Sequence, residues 1–236
     1  MSLIITIAIG FGTATLLWLF FRPPFGKNIV HLNTDKRIVA LTYDDGPNPP
    51  YTDRLLDVLA KHNVKATFFL IGNRIERHPE TANRVIAEGH QIGNHSYSHP
   101  LLGFLPPRYV QRQIERTDAL LRQHGITEEA VFRAPLLTRF LPVAYVLAKQ
   151  NRMHISCNVW GWDWVTQNPD KITESVLKKT KSGSIIVLHD GKAENKDANR
   201  SGTIEATDRI IAALKRDGYQ FVRLSDCLAG RVIHVP

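Results

Sequence analysis

Two adjacent carboxylates and two histidines are the residues whose chemistry stands out first. Asp44 and Asp45 lie in the segment LTYDDGPNPP, directly after an apolar run that predicts a buried strand. Like charges at the end of such a strand repel each other and resist desolvation, so a compensating partner is expected. A divalent cation could be that partner. His95 and His99 can help to bind it, because two imidazoles and one carboxylate form a three-ligand metal site with an open position for water. The second carboxylate is then free to accept a proton from that water.

The spacing of the two histidines suits a shared metal, whereas the separate roles of the two carboxylates stay open. On a helical turn, the four-residue spacing of His95 and His99 in the segment HSYSH would place both imidazoles on one face, close enough to share a metal. Adjacency alone does not decide which of Asp44 and Asp45 binds the metal.

Other reactive or aromatic residues also follow apolar runs. His189 ends the run IIVLH and is either a general acid or an imidazole with a structural partner at the rim. Arg133 either forms a rim salt bridge or orients a buried carboxylate such as Asp44. The segment VWGWDW holds three of the four tryptophans, which form a core cluster or a wall against sugar rings.

The elements that must position these residues alternate along the chain. Short apolar, β-rich runs are followed by segments with helical spacing, and about seven such strand–helix pairs can be read. This alternation predicts a parallel α/β architecture, either an open doubly wound sheet or a (β/α) barrel. A barrel is favoured because the chemically distinctive residues follow several different strands, where barrel sites are assembled.

Composition limits the classes of protein. The chain has 236 residues, is 43% hydrophobic and carries a net charge of +8, so it is too apolar for a disordered protein and fits one large domain or two small ones. Its Lys and Arg residues are scattered, and no nucleic-acid partner is expected. Cys157 and Cys227 form no metal-type Cys-x-x-Cys pair.

The N-terminal segment predicts a membrane anchor. Residues 3–21 contain no charged side chain, and a helix over this run would be roughly 28 Å long, enough to cross a membrane. A buried soluble helix is the alternative. We predict a membrane anchor over residues 1–22, a linker over 23–36 and one catalytic domain over 37–230. Orientation is open, because the basic residues that follow the run favour a cytoplasmic domain: Arg22, Lys27, Lys36 and Arg37.

Five short motifs, in order, resemble those of the polysaccharide deacetylase family, the NodB-homology domain of carbohydrate esterase family 4. The motifs are TYDDG at 42–46, HSYSH at 95–99, FRAP at 132–135, DW at 163–164 and VLH at 187–189. The resemblance covers about residues 37–228. It implies a distorted (β/α)7–8 barrel, and a hydrolase that removes N-acetyl groups from N-acetylglucosamine-type polymers such as peptidoglycan or chitin-like oligosaccharides.

The resemblance also implies roles for individual residues. Asp45, His95 and His99 would hold a divalent metal, usually zinc, which activates water, and Asp44 would be the base. His189 would protonate the leaving amine, Arg133 would orient Asp44, and the backbone N–H of Leu136 would stabilise the oxyanion. Substrate-binding residues would be Pro135, Leu136, Trp164 and Val187. Because members of the family act on extracytoplasmic polymers, the resemblance places the catalytic domain outside the cell.

One departure from the family pattern leads to an expectation about pH. Trp160 stands where many members carry an Asp that stabilises the acid histidine, so we expect His189 to lack a carboxylate partner. The alkaline limb of the pH–rate profile would then lie at lower pH than in members with that Asp. Leu136 also replaces a common aromatic residue.

Two alternatives to an N-deacetylase stay open. The same metal site could serve an O-acetyl esterase or a cyclic amide hydrolase, or the chain could be a non-catalytic sugar-binding module.

Overall fold

The strands of the fold are short and all but one have fewer than six residues. The computed structural model describes residues 16–127, 130–193 and 198–228. Its strands are β1 (Asn28–Ile29), β2 (Ile38–Asp44), β3 (Thr67–Leu70), β4 (Gln91–Asn94), β5 (His154–Ile155), β6 (Val159–Trp160), β7 (Ile185–His189) and β8 (Gln220–Phe221). The α-helices are α1 (Tyr51–Lys61), α2 (Gly72–Arg77), α3 (Pro79–Ala87), α4 (Pro107–Gln123), α5 (Leu141–Lys149), α6 (Pro169–Leu177), α7 (Ser201–Arg216) and α8 (Leu224–Leu228). Short 3-10 turns occupy Leu102–Phe104 and Pro135–Leu137.

Parallel pairing organises the sheet around β2. The hydrogen-bonded order is β4-β3-β2-β7-β6, and β8 pairs with the start of β2. β1 pairs in parallel with β5, and bridges through Phe132 connect β4 to β5. Helices alternate with these strands, as parallel connections require. The predicted α/β class is confirmed.

Alternation along β2 separates an outer, helix-covered core from an inner one. Val39, Leu41 and Tyr43 belong to the core cluster that also contains buried leucines of α1 and isoleucines of α7. Ile38 and Ala40 belong to a different cluster, with residues of β5 and β7. Because successive side chains of a strand point to opposite faces, Thr42 and Asp44 lie on the inner face with Ala40. The sheet therefore directs the last residue of β2 inward.

The prediction of a membrane-spanning anchor and of membrane localisation is wrong for the part of the chain that the structure describes. No helix among residues 16–127, 130–193 and 198–228 is long and apolar enough to cross a membrane. Residues 1–15 of the predicted anchor lie outside the described residues. At the end of the apolar run, the rings of Phe20 and Phe21 contact Phe104 and Phe140, with centroids 4.8–6.2 Å apart. The described end of this run therefore contacts the domain through its aromatic rings, although Phe21 and Phe104 stay exposed.

Residues of the predicted linker, 23–36, contribute to the fold. The strand β1 lies within it and pairs with β5. Leu32 is buried in the inner core cluster. Arg139, which precedes α5, donates hydrogen bonds to the carbonyls of Phe25 and Gly26.

Candidate active site

The ends of β2 and β7 place a carboxylate and an imidazole side by side. Asp44 and His189 are register partners in the parallel β2–β7 pair, so their side chains leave the sheet on the same face. Asp44 is 4% exposed although it carries a charge, and it ends a strand whose seven residues are all buried. The predicted strand-end position of both groups brings them to one edge of the inner core.

Asp45 points away from Asp44 because its backbone is left-handed. Its φ is +74°, a conformation that Asp tolerates better than most residues, and it turns the second carboxylate toward His95 and His99. The Oδ1 atom of Asp45 lies 3.4 Å from Nε2 of His95 and 3.2 Å from Nε2 of His99. The structure therefore separates the adjacent carboxylates into different environments, which the sequence left open.

The three groups around Asp45 fit a divalent cation. One donor atom from each of Asp45, His95 and His99 lies within 4.8 Å of the others. Nδ1 of His95 lies 2.8 Å from the carbonyl oxygen of Arg133, and a carbonyl only accepts, so Nδ1 carries the proton of the neutral ring. The lone pair of Nε2 then faces Oδ1 of Asp45, a buried atom that accepts no hydrogen bond. A cation between these two acceptors would satisfy both, and the hydrogen bond from Nδ1 of His95 to the Arg133 carbonyl would orient the ring toward it.

The pKa of Asp45 reflects the same surroundings. Burial alone would raise it, but the positive charges of His99 and His189 in their protonated forms hold the pKa of Asp45 well below its usual range. The carboxylate is thus ionised, as a metal ligand must be.

The HSYSH segment is a loop and not the helical turn on which its spacing would align the two imidazoles. Residues 95–99 contain no helix, and both Ser96 and His99 have positive φ, at +65° and +57°. Side chains hold the loop in place of helical hydrogen bonds: Oδ1 of Asn94 accepts from the Ser96 amide, and Oε1 of Gln113 accepts from the amides of Tyr97 and Ser98. The two imidazoles still meet, with ring centroids 5.0 Å apart.

Arg133 holds Asp44 in place. Its guanidinium is fully buried and donates at 2.7 Å to Oδ1 of Asp44 and at 2.8 Å to Oγ1 of Thr42. The remaining donors contact the carbonyls of Ile155 and Ser156. Because each nitrogen of the planar guanidinium donates a hydrogen bond, the group has one orientation and fixes that of the Asp44 carboxylate. The sequence alternative of a rim salt bridge does not describe this buried contact.

His189 has a carboxylate partner, so the expectation drawn from Trp160 is wrong. Nδ1 of His189 lies 2.9 Å from Oδ1 of Asp163, and the His189 amide donates to Oδ2 of the same carboxylate. Burial alone would lower the pKa of His189, but Asp163, with the charges of Asp45 and Asp44, raises it to about 9. The expected shift of the alkaline limb to lower pH therefore loses its basis. The signal was Asp163 itself, which precedes Trp164 in the fourth motif.

A cavity of about 410 Å³ joins these groups. Among the residues expected to bind substrate, Leu136, Trp164 and Val187 line it. Pro135 is buried and is absent from the lining, but it begins the short turn that carries Leu136 into the cavity. Trp160, from the tryptophan segment, and Leu137 also line the cavity, and the sequence did not single out two further contributors, Lys192 and Ala193.

Comparison with known proteins gives consistent matches. The family model for polysaccharide deacetylase matches residues 31–155. A peptidoglycan-N-acetylglucosamine deacetylase of Bacillus cereus is 32% identical over 210 residues, which cover 87% of this chain and 94% of the relative. A chitooligosaccharide deacetylase of Sinorhizobium fredii is 38% identical, over 82% of this chain and 93% of the relative.

Solved structures agree with this match. A crystal structure of a peptidoglycan N-acetylglucosamine deacetylase in complex with 4-naphthalen-1-yl-N-oxidanyl-benzamide aligns with a TM-score of 0.79 at 34% identity. The alignment covers 86% of this chain and 92% of that one.

Proposed function

The chain belongs to the polysaccharide deacetylase family, and from this premise we propose that it removes N-acetyl groups from N-acetylglucosamine units of peptidoglycan or a chitin-like oligosaccharide. It is a hydrolase of the deacetylase type. The substrates named for the relatives support the N-acetyl group, rather than an O-acetyl ester, as the group that is hydrolysed.

The proposed metal ligands are Asp45, His95 and His99. The deacetylases of this family are divalent-metal enzymes, and a donor set of two imidazoles and one carboxylate suits zinc among the available cations. When bound there, the cation supplies Lewis-acid activation of water and of the acetamide carbonyl.

Asp44 is the proposed general base. Its Oδ1 is held by Arg133, and its Oδ2 lies 3.9 Å from Nε2 of His95, beside the proposed ligands. Asp44 takes a proton from the water that attacks the acetamide carbonyl. Arg133 leaves this carboxylate one orientation, which reduces the reorganisation needed during proton transfer.

His189 is the proposed general acid. Asp163 occupies Nδ1, so the Nε2–H of the imidazolium is the proton available to the cavity. His189 gives this proton to the sugar nitrogen as the C–N bond breaks, which yields acetate and a free amine. The backbone N–H of Leu136 donates to the carbonyl oxygen as negative charge develops on it.

One observation carries the proposal. Asp44 and His189 stand at paired positions on two strands, and the three proposed ligands lie at the same cavity. Base, acid and ligand set therefore lie at one cavity, where a single acetamide could reach all of them.

The test is acetate release from N-acetylglucosamine oligomers by the protein with added Zn²⁺. His95→Ala is expected to abolish release. His124→Ala is the matched control, because His124 contacts Asn83 at 2.6 Å and does not line the cavity. Equal release by wild type and His95→Ala would refute the mechanism. Release from O-acetylated sugars alone would favour the esterase.

A further inference from the structure

Three tryptophan rings extend from the cavity to its exterior. The Trp164 ring lies 5.3 Å from the imidazole of His189, and both Trp160 and Trp164 line the cavity. Trp162 does not line the cavity. The centroid of its ring lies 4.8 Å from that of Trp164 and 6.0 Å from that of Trp160. An aromatic surface therefore continues from the cavity wall onto the outer rim.

Trp162 is an exposed side chain on a strained backbone. It is 45% exposed, and its φ is +59°, in the left-handed region that bulky residues avoid. Local packing explains the backbone. The carbonyl of Trp162 accepts hydrogen bonds from the amides of Val165 and Thr166, which closes the turn that holds Asp163. The turn requires a left-handed backbone at position 162, but Gly or Asn would adopt this conformation with less strain than Trp.

The backbone of the turn therefore does not explain why residue 162 is a tryptophan. The ring packs against Trp160 and Trp164, but 45% of the side chain stays exposed, and packing within the cluster does not account for that exposed part. Such rings are characteristic of binding surfaces, because they offer large apolar area with few rotatable bonds. The electron-rich face of indole attracts the partially positive C–H groups of a pyranose ring.

The place of Trp162 beside the cavity indicates which part of the substrate its ring would contact. The acetamide of the reacting sugar must reach Asp44, His189 and the metal ligands inside the cavity. A polymer then leaves the cavity across its rim, and the aromatic surface continuous with Trp164 is the rim that lies beside His189. Trp162 is one ring further out than Trp164, where a neighbouring sugar would lie.

We infer that Trp162 is a stacking platform for the sugar unit next to the one that is deacetylated, so that the protein prefers oligomers over single N-acetylglucosamine units. This inference rests on the proposed function. Trp162 is a specificity-determining residue here and takes no part in proton transfer.

The test compares substrates of different length with variants of one turn. Trp162→Ala is expected to lower kcat/KM for the N-acetylglucosamine tetramer roughly tenfold, mainly through KM, and to leave hydrolysis of 4-nitrophenyl acetate unchanged. Trp162→Phe should retain most of the activity on the tetramer. Val165→Ala is the matched control, because Val165 lies in the same turn and is 71% exposed. An equal loss on both substrates, no loss on the tetramer, or an equal loss in Val165→Ala would overturn the inference.

A binding experiment keeps this test separate from the proposed function. In a His189→Asn background, calorimetry measures tetramer binding without turnover. Trp162→Ala should weaken binding about tenfold relative to Val165→Ala. Equal affinity, or no binding by the protein that retains Trp162, would overturn the platform even if the enzyme were active. A change from dimer to monomer in Trp162→Ala, with oligomer affinity unchanged, would assign the ring to a second copy instead.

Discussion

Nδ1 of His189 lies 2.9 Å from Oδ1 of Asp163, and the same carboxylate accepts the amide hydrogen of His189 through Oδ2. Asp163 also receives a hydrogen bond from Thr203. A buried carboxylate in this geometry fixes the imidazole and stabilises its protonated form. The pKa of about 9 keeps His189 protonated across neutral pH, as its proposed role as the acid requires.

Asp163→Asn should move the alkaline limb of the pH–rate profile to lower pH. His189 must be protonated to act as an acid, so activity falls as pH rises through the pKa of about 9 in the wild type. Without the charge of Asp163 that pKa falls, although Asp44, Asp45 and the Trp164 ring still face the imidazole. We expect kcat/KM at pH 8 to fall roughly tenfold or more. Asp170→Asn, on the exposed surface of α6, is the control, and an unmoved limb in Asp163→Asn would contradict the role of the pair.

Arg133→Met should destabilise the protein strongly. The change leaves the buried Asp44 carboxylate without its cation and removes donors from the carbonyls of Ile155 and Ser156, so the free energy of unfolding should fall by about 3–5 kcal/mol. Urea unfolding measures this. Arg209→Met removes an exposed ion pair and should change little. A similar small effect at both sites would mean that the Arg133–Asp44 contact is not formed in solution.

Removal of metal should abolish acetate release, and Zn²⁺ should restore it. Elemental analysis after dialysis is expected to find bound metal in the wild type, and His99→Ala should bind it on the order of 100-fold more weakly. His62→Ala is a suitable control, because His62 contacts Asp208 instead of the site. Full metal content in His99→Ala would exclude His99 as a ligand.

Gly46→Ala should damage the turn after the paired carboxylates. A Cβ atom at Gly46 would lie 2.0 Å from Oδ2 of Asp190, which is itself buried and bonded to Thr52. Crowding of this kind costs about 1–3 kcal/mol of unfolding free energy or more, measured by denaturant titration. Gly125→Ala meets no atom within 4 Å and carries only the strain of its positive φ, so it should cost less. A larger effect at Gly125 would show that the space around Gly46 relaxes freely.

Local chemistry in the sequence was sufficient to find the groups that meet at the cavity. Each of these groups lies at or just after the C-terminal end of a strand, and parallel strands bring these ends to one edge: Asp44, Asp45, His95, His99 and His189. Hydrophobic periodicity therefore predicted both the α/β class and the place of assembly.

Backbone conformation and long-range pairing could not be read in this way. The HSYSH spacing would align the two imidazoles on a helical turn, but left-handed residues at Ser96 and His99 bring them together in a loop. The carboxylate partner of His189, Asp163, lies 26 residues earlier in the loop after the neighbouring strand β6, so no local sequence pattern connects the two residues. The apolar N-terminal run has the length of a membrane span, yet the contacts of Phe20 and Phe21 depend on loops more than 80 residues away.

The segment before β2 matters for how the enzyme is prepared. A shortened protein that starts at residue 37 would lack β1, so the edge of β5 would lose the carbonyls of Lys27 and Ile29 that pair with it. Arg139 would lose the acceptors at Phe25 and Gly26, leaving a cation unpaired a few residues from the turn that carries Leu136. Expression boundaries chosen from the catalytic motifs alone would therefore weaken the wall of the cavity, and a boundary upstream of residue 20 preserves it.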